Sequence, residues 1–120
     1  QRNLETATKP TSPTVSIEEF SKLHLKIGTI VSVEPVPKST KLIKLKIDLG
    51  EAGTKQAVAG IGPWYNPEEL KGKQIAVLTN IKPTTIFGIE SQVMILAAED
   101  ERTVAILKPD KLVKPGSKIR

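Results

Sequence analysis

Hydrophobic and polar positions alternate over residues 25–34, with Leu25, Ile27, Thr29, Val31 and Val33 on one face and Lys26, Gly28, Ile30, Ser32 and Glu34 on the other. A period of two is the pattern of a strand that buries one face. It resumes over 42–49, where Ile43, Leu45, Ile47 and Leu49 are placed inward and Lys44, Lys46 and Asp48 outward. Apolar runs at 56–59, 74–79, 93–98 and 103–107 predict further short strands, separated by Gly, Pro, Asn and acidic turn residues. Helical signals are brief. Ser16-Ile17-Glu18-Glu19 has the form of a capping box and predicts a helix from Ile17 to about Leu23. Asn66-Pro67-Glu68-Glu69-Leu70-Lys71-Gly72 places Asn before the first turn, Pro and acids within it and Gly at the end, which predicts a miniature helix plugging one end of a sheet. Trp64 and Tyr65 are expected to pack onto that plug, with exposure for stacking as the alternative.

Short strands at regular spacing with one small helix between the third and fourth describe an all-β fold, an OB-fold barrel of about five strands. The connection 80–94 joins two of those strands. Pro83 and Gly88 punctuate it, so Asn80, Lys82, Thr84, Thr85, Glu90, Ser91 and Gln92 are expected on a loop carried by a rigid sheet, where binding groups tend to sit. On the second strand and the turn before it, Lys38, Lys41, Lys44 and Lys46 form either a track for phosphates or a solvated face.

Charge bears on this choice without deciding it. The chain carries a formal +5, and residues 21–120 hold 16 basic against 10 acidic side chains, so the positive charge belongs to the part expected to fold. Such a balance favours a polyanionic partner, with nucleic acid the usual one. The absence of cysteine excludes a disulfide framework and thiolate chemistry. A single histidine, His24, with no carboxylate cluster around it, makes catalysis an unfavoured reading, and no cofactor or metal is expected. Gly60-Ile61-Gly62 is followed by Pro63-Trp64 rather than a third glycine and a long helix, which dismisses a dinucleotide site. With Phe20, Trp64, Tyr65 and Phe87 as the only aromatics, a platform for successive single-stranded bases is disfavoured, whereas folded RNA read through phosphates and shape asks less of aromatics. No run approaches the length of a bilayer span, and a soluble, cytoplasmic protein is expected. The Thr/Pro/Ser-rich opening, residues 1–15, reads as a linker ahead of a domain over 16–120, and the lack of an initial Met suggests a piece of a longer polypeptide.

Several short motifs then fall in one order: Leu25-Lys26-Ile27-Gly28, Lys41-Leu42, Asp48-Leu49-Gly50, Val58-Ala59-Gly60-Ile61, Asn80-Ile81-Lys82-Pro83, Gly88, Ser91-Gln92-Val93-Met94 and Lys114-Pro115-Gly116. In this the chain resembles the tRNA-binding domain found at the C-terminus of many methionyl-tRNA synthetases, in free-standing tRNA-binding proteins and in endothelial-monocyte-activating polypeptide II. The resemblance implies an OB-fold that binds the outer corner of tRNA without a catalytic step. The implied RNA-contacting positions are Lys41, Asn80, Ser91 and Met94, with Lys26 and Lys82 as phosphate partners beside Lys44 of the lysine track. Asn80 and Ser91 have an alternative as turn-shaping residues, and Met94 as a core gap-filler.

The resemblance also implies a homodimer joined through segments flanking the barrel, to which an outward-facing Ile30 would contribute. The expected partners are therefore tRNA, a second copy and an upstream synthetase body, with no DNA and no membrane. Where the family often carries basic residues between the proline and glycine of the 80–94 loop, Thr84, Thr85, Ile86 and Phe87 stand here. Phe87 is expected in a core or interface, with a stacking or wedge contact to RNA as the alternative. This thinned charge keeps open a protein-binding module, related to secretion chaperones or scaffold and cytokine-like members of the family.

Overall fold

The computed structural model describes residues 13–120; most of the expected 1–15 linker lies outside the described residues. The chain opens with helix α1 (Ile17–Ser21), where the Ser16 N–H donates to Glu19 Oε1 at 2.9 Å and the Glu19 N–H to Ser16 Oγ at 3.0 Å. The capping box forms as expected, but the helix is one turn long and buries none of its residues. The strands are β1 (Leu25–Pro35), β2 (Ile43–Asp48), β3 (Thr54–Ala59), β4 (Gln74–Leu78), β5 (Thr84–Ile86), β6 (Ile89–Ser91), β7 (Met94–Ile95), β8 (Ala97–Glu99), β9 (Val104–Ile106) and β10 (Ser117–Lys118). Helix α2 (Pro67–Leu70) lies between β3 and β4, and its Leu70 is wholly buried.

The sheet runs β3-β2-β1-β4-β7, with β10 added beside β1. Strand β1 organises it. Its first half pairs with β4, from Leu25 opposite Leu78 to Thr29 opposite Gln74, and its second half with β2, from Thr29 opposite Asp48 to Pro35 opposite Ile43. One long strand thus serves two sides of a nearly closed, five-stranded, OB-like barrel. Its core gathers Ile30, Ile43, Leu45, Ile47, Leu49, Ile75 and Val77, with Leu70 sealing one end.

The alternation of β2 is as expected: Ile43, Leu45, Ile47 and Leu49 are buried and Lys46 is exposed. That of β1 is corrected in part, since Ile27 is buried as expected at 7% exposed. The register of β1 against β2 shifts between Ile30 and Ser32, so Val31 is an extra residue and stands 42% exposed, while Ile30 is 1% exposed in the core. A bulge inserts one residue and reverses the faces beyond it. Gly28 and Ile30 therefore point inward with Val33, and Ile30 is no part of an outer interface. Gly28 is required by close approach, since a Cβ there would overlap the Ile47 and Leu49 side chains.

Barrel closure between β3 and the segment after β6 uses side chains where a full ladder is lacking. The Gln92 N–H donates to the Gln56 carbonyl at 2.8 Å, and the Gln56 N–H donates to Gln92 Oε1 at 2.9 Å. Gln56 Nε2 also donates to the Glu90 carbonyl at 2.8 Å, and the Val58 N–H to Ser91 Oγ at 3.0 Å. The expected strand 93–98 is divided into β7 and β8, and Asp100 makes the β8–β9 turn by accepting the N–H groups of Arg102 and Thr103. Those two bonds hold its carboxyl below the usual range.

Candidate nucleic-acid interface

Two connections and one strand pair meet on the outside of the barrel. The first connection, 36–42, carries Lys38 and Lys41, both exposed. Ser39 shapes it by accepting the Lys41 and Leu42 N–H groups at 3.2 and 3.0 Å, while the Lys41 carbonyl accepts the Gly62 N–H at 2.8 Å. The Lys41 backbone is thereby pinned and its ammonium is left in solvent. On β2, Lys46 is exposed, but Lys44 donates to Glu34 Oε1 at 2.9 Å from the paired position of β1. That hydrogen bond, and then the lysine charge itself, holds the Glu34 carboxyl below its ordinary value. Of the expected lysine track, Lys44 is thus matched by a carboxylate, and among the described residues Lys38, Lys41 and Lys46 form no ion pair.

The second connection, 80–93, differs from the loop expected. It contains the hairpin β5–β6, with Thr84 opposite Ser91, Thr85 opposite Glu90 and Ile86 opposite Ile89. Phe87 and Gly88 form the two-residue turn, with φ of 51° and 79°. Positive φ at both central residues is the requirement of the turn that matches strand twist, one that Asn-Gly usually fills. Phe87 is 63% exposed, which corrects the expectation of a core position. The register joins hairpin and lysines. Lys44 is opposite Val58, whose N–H reaches Ser91, and Lys46 is opposite Gln56, which is bonded to Gln92 and Glu90. Only β3 separates the lysine strand from the foot of the hairpin, about 10 Å at two strand spacings.

Asn80, at the start of this connection, accepts the His24 N–H on Oδ1 at 2.8 Å and donates from Nδ2 to the Lys22 carbonyl at 2.7 Å. It clasps the exit of α1 to the end of β4. Ser91 is 7% exposed, and its hydroxyl also donates to the Val93 carbonyl at 3.1 Å. Lys82 is exposed beside the hairpin, and Met94 is 43% exposed on β7 opposite Leu78, on the surface rather than in the core. Lys26 lies apart, half-buried on β1 between Val77 and Lys118. Trp64 stands at the α2 end, 41% exposed, with its indole N–H donating to the Arg102 carbonyl at 3.3 Å; Tyr65 packs against the core and accepts the Ile106 N–H. The closure by Gln56 and Gln92 was not foreseen, because no local pattern reports a bond across 36 residues.

A face made of the β2–β3 surface and the two flanking loops is where OB-folds take nucleic acid. Residues 25–118 match the family model described as "Putative tRNA binding domain". The chain belongs to this tRNA-binding domain family. It is 51% identical over 117 residues to the methionine–tRNA ligase of Methanospirillum hungatei, an alignment covering 98% of this chain and 17% of that protein. The ligase of Methanoregula boonei is 48% identical over 122 residues, covering all of this chain and 18% of the relative. The chain therefore spans under a fifth of the length of these synthetases.

Among solved structures, the tRNA-binding domain superposes on a MetRS-related protein from Pyrococcus horikoshii with a TM-score of 0.85 at 33% identity, covering 91% of this chain and all of that one. It superposes on the chaperone CsaA from Bacillus anthracis with a TM-score of 0.83 at 38% identity, covering 90% and 100%. Among the described residues, no helix is long and apolar enough to cross a membrane, and no group of three or more His, Cys, Asp or Glu is placed to hold a metal ion.

Proposed function

We propose that the domain is a non-catalytic, cytoplasmic tRNA-binding appendage of a methionyl-tRNA synthetase, gripping folded tRNA by its phosphates on the face between the 36–42 connection and the β5–β6 hairpin. The observation that carries this reading is the placement of exposed Lys38, Lys41 and Lys46 one strand away from a hairpin flanked by exposed Lys82. Lysine contributes point charge and gains by counterion release, so these groups supply affinity without demanding a sequence. Lys26 and Lys44 serve as secondary phosphate partners, and Met94 as an apolar surface contact. Asn80 and Ser91 act through the shape of the hairpin's two ends, since their polar atoms already bond within the fold. Linked to a catalytic body, such a module raises the local concentration of tRNA by making the second contact intramolecular. Filter binding of tRNA tests this: Lys41→Ala combined with Lys82→Ala weakens retention, Thr84→Ala does not, and equal retention by all three proteins overturns the assignment of the face.

The same reading includes a homodimer. Helix α1 and the turn after it leave Ile17, Phe20 and Leu23 exposed beside the C-terminal residues Lys118, Ile119 and Arg120, forming an open groove with an apolar wall and a basic rim. A second α1, bearing Glu18 and Glu19, complements that groove in charge. Sedimentation at micromolar concentration shows a dimer if this holds and a monomer if it fails.

A second reading is favoured by the likeness to CsaA, whose name is that of a chaperone, together with exposed Ile81, Phe87 and Met94 around the hairpin. In that case the face takes unfolded peptide. Peptide binding that persists in excess tRNA supports it, and competition between the two places both ligands on one face.

A further inference from the structure

The β5–β6 hairpin closes on a residue unsuited to its turn. The first central position needs left-handed backbone, which Asn, Asp or Gly adopts with least strain, and Phe87 holds it at φ 51°. Strain of this kind persists only where the surrounding structure enforces it and is concentrated at sites that use it. The ring gives little packing in return, because it is 63% exposed whereas Ile86 and Ile89 beneath it are half-buried. It is the most exposed aromatic among the described residues, against 38% for Phe20 and 41% for Trp64. The positions before it, Thr84, Thr85 and Ile86, carry no charge, and Glu90, opposite Thr85, is the one charged group on the two strands, so the apex is a flat apolar plate on a polar stalk.

We propose that Phe87 is a stacking contact for one unpaired nucleobase of the bound tRNA. This rests on the tRNA reading above and adds to it a residue and a chemistry. Charge selects the occupant: exposed Lys82 at the hairpin's foot, and Lys38, Lys41 and Lys46 beyond β3, favour a ligand that presents an apolar flat face and a polyanionic backbone together. A base splayed from folded RNA does so, and stacking on aromatic rings is how such bases are held. The plate discriminates between structures rather than sequences, because every base has a π-face whereas only unstacked ones can offer it.

Phe87→Gly separates the ring from the fold, since glycine suits the left-handed position and the hairpin keeps or gains stability. In filter binding with unfractionated tRNA this variant should bind about 5- to 150-fold more weakly. The dependence of affinity on salt should keep its slope, because no phosphate contact is lost. Phe87→Tyr should bind as the parent does. A Phe87→Trp, Trp64→Phe chain places its one indole at the apex, and tRNA should quench its fluorescence. Parental affinity in Phe87→Gly, or an indole unmoved by tRNA, overturns the stacking contact while leaving the tRNA reading intact. A loss accompanied by a fall in melting temperature or a shallower salt slope overturns it as well. Failure of the parent chain to bind tRNA overturns both.

Discussion

The foot and the apex of the β5–β6 hairpin are a few residues apart and are built on opposite terms. At the foot the polar side chains are engaged within the protein: Asn80 is bonded to Lys22 and His24, Ser91 to Val58 and Val93, and Gln92 to Gln56. At the apex nothing is engaged, and Phe87 stands 63% exposed in a strained conformation. The difference teaches that a polar motif residue on a loop need not be a ligand contact. Where its hydrogen-bonding capacity is met inside the protein, it holds in place the groups that are free. The lysines repeat the contrast, with Lys44 paired to Glu34 and Lys41 exposed.

Ser91→Ala should break the foot most severely. It leaves the buried Val58 N–H without its acceptor, a loss of about 1–3 kcal/mol. Thermal denaturation should show a melting point lower by about 4–8 °C per kcal/mol, whereas Thr84→Ala leaves it nearly unchanged. Asn80→Ala comes next. It removes two exposed bonds, worth about 1 kcal/mol together with the local order of α1, and hydrogen exchange at His24 should accelerate while the core amides stay protected.

Among the lysines, Lys41→Ala should weaken tRNA binding and lower the salt slope by about 1, with a smaller change for Lys44→Ala because its charge is already matched. The smallest effect concerns pH. Glu34 titrates below its ordinary 4.5 through the Lys44 hydrogen bond and charge. With the folded value depressed, the pair's contribution is present above that ordinary value and fades as pH falls through the lowered one. An NMR titration should find the low midpoint, and Lys44→Met should raise it, with Lys46 still lowering it slightly.

Much of the barrel was legible because local rules and the global fold agree along β2, where strict alternation coincides with burial, and at Ser16 and Pro67, where short capping motifs start helices as expected. Strand β1 was legible as a strand but not in its faces, since a bulge at Val31 carries no local mark and reverses the inward set. The hairpin was hidden because its turn begins with Phe87 in place of the usual Asn or Gly. The motif residues Asn80 and Ser91 could be singled out by type, but their bonds span 33 to 58 residues, so only the folded chain reveals which way they point. Charge was legible at Lys41 and Lys82, where exposure follows from turns, and less so at Lys44, where the neighbour across the strand decides its state.

The proposed grip of the exposed lysines around this hairpin on tRNA phosphates is measured by the affinity of the 120-residue chain for tRNA across a salt series. With contacts from Lys38, Lys41, Lys46 and Lys82, the logarithm of the association constant should fall linearly with the logarithm of salt, with a slope of about −3 to −4. A flat response, or no binding at low salt, contradicts it.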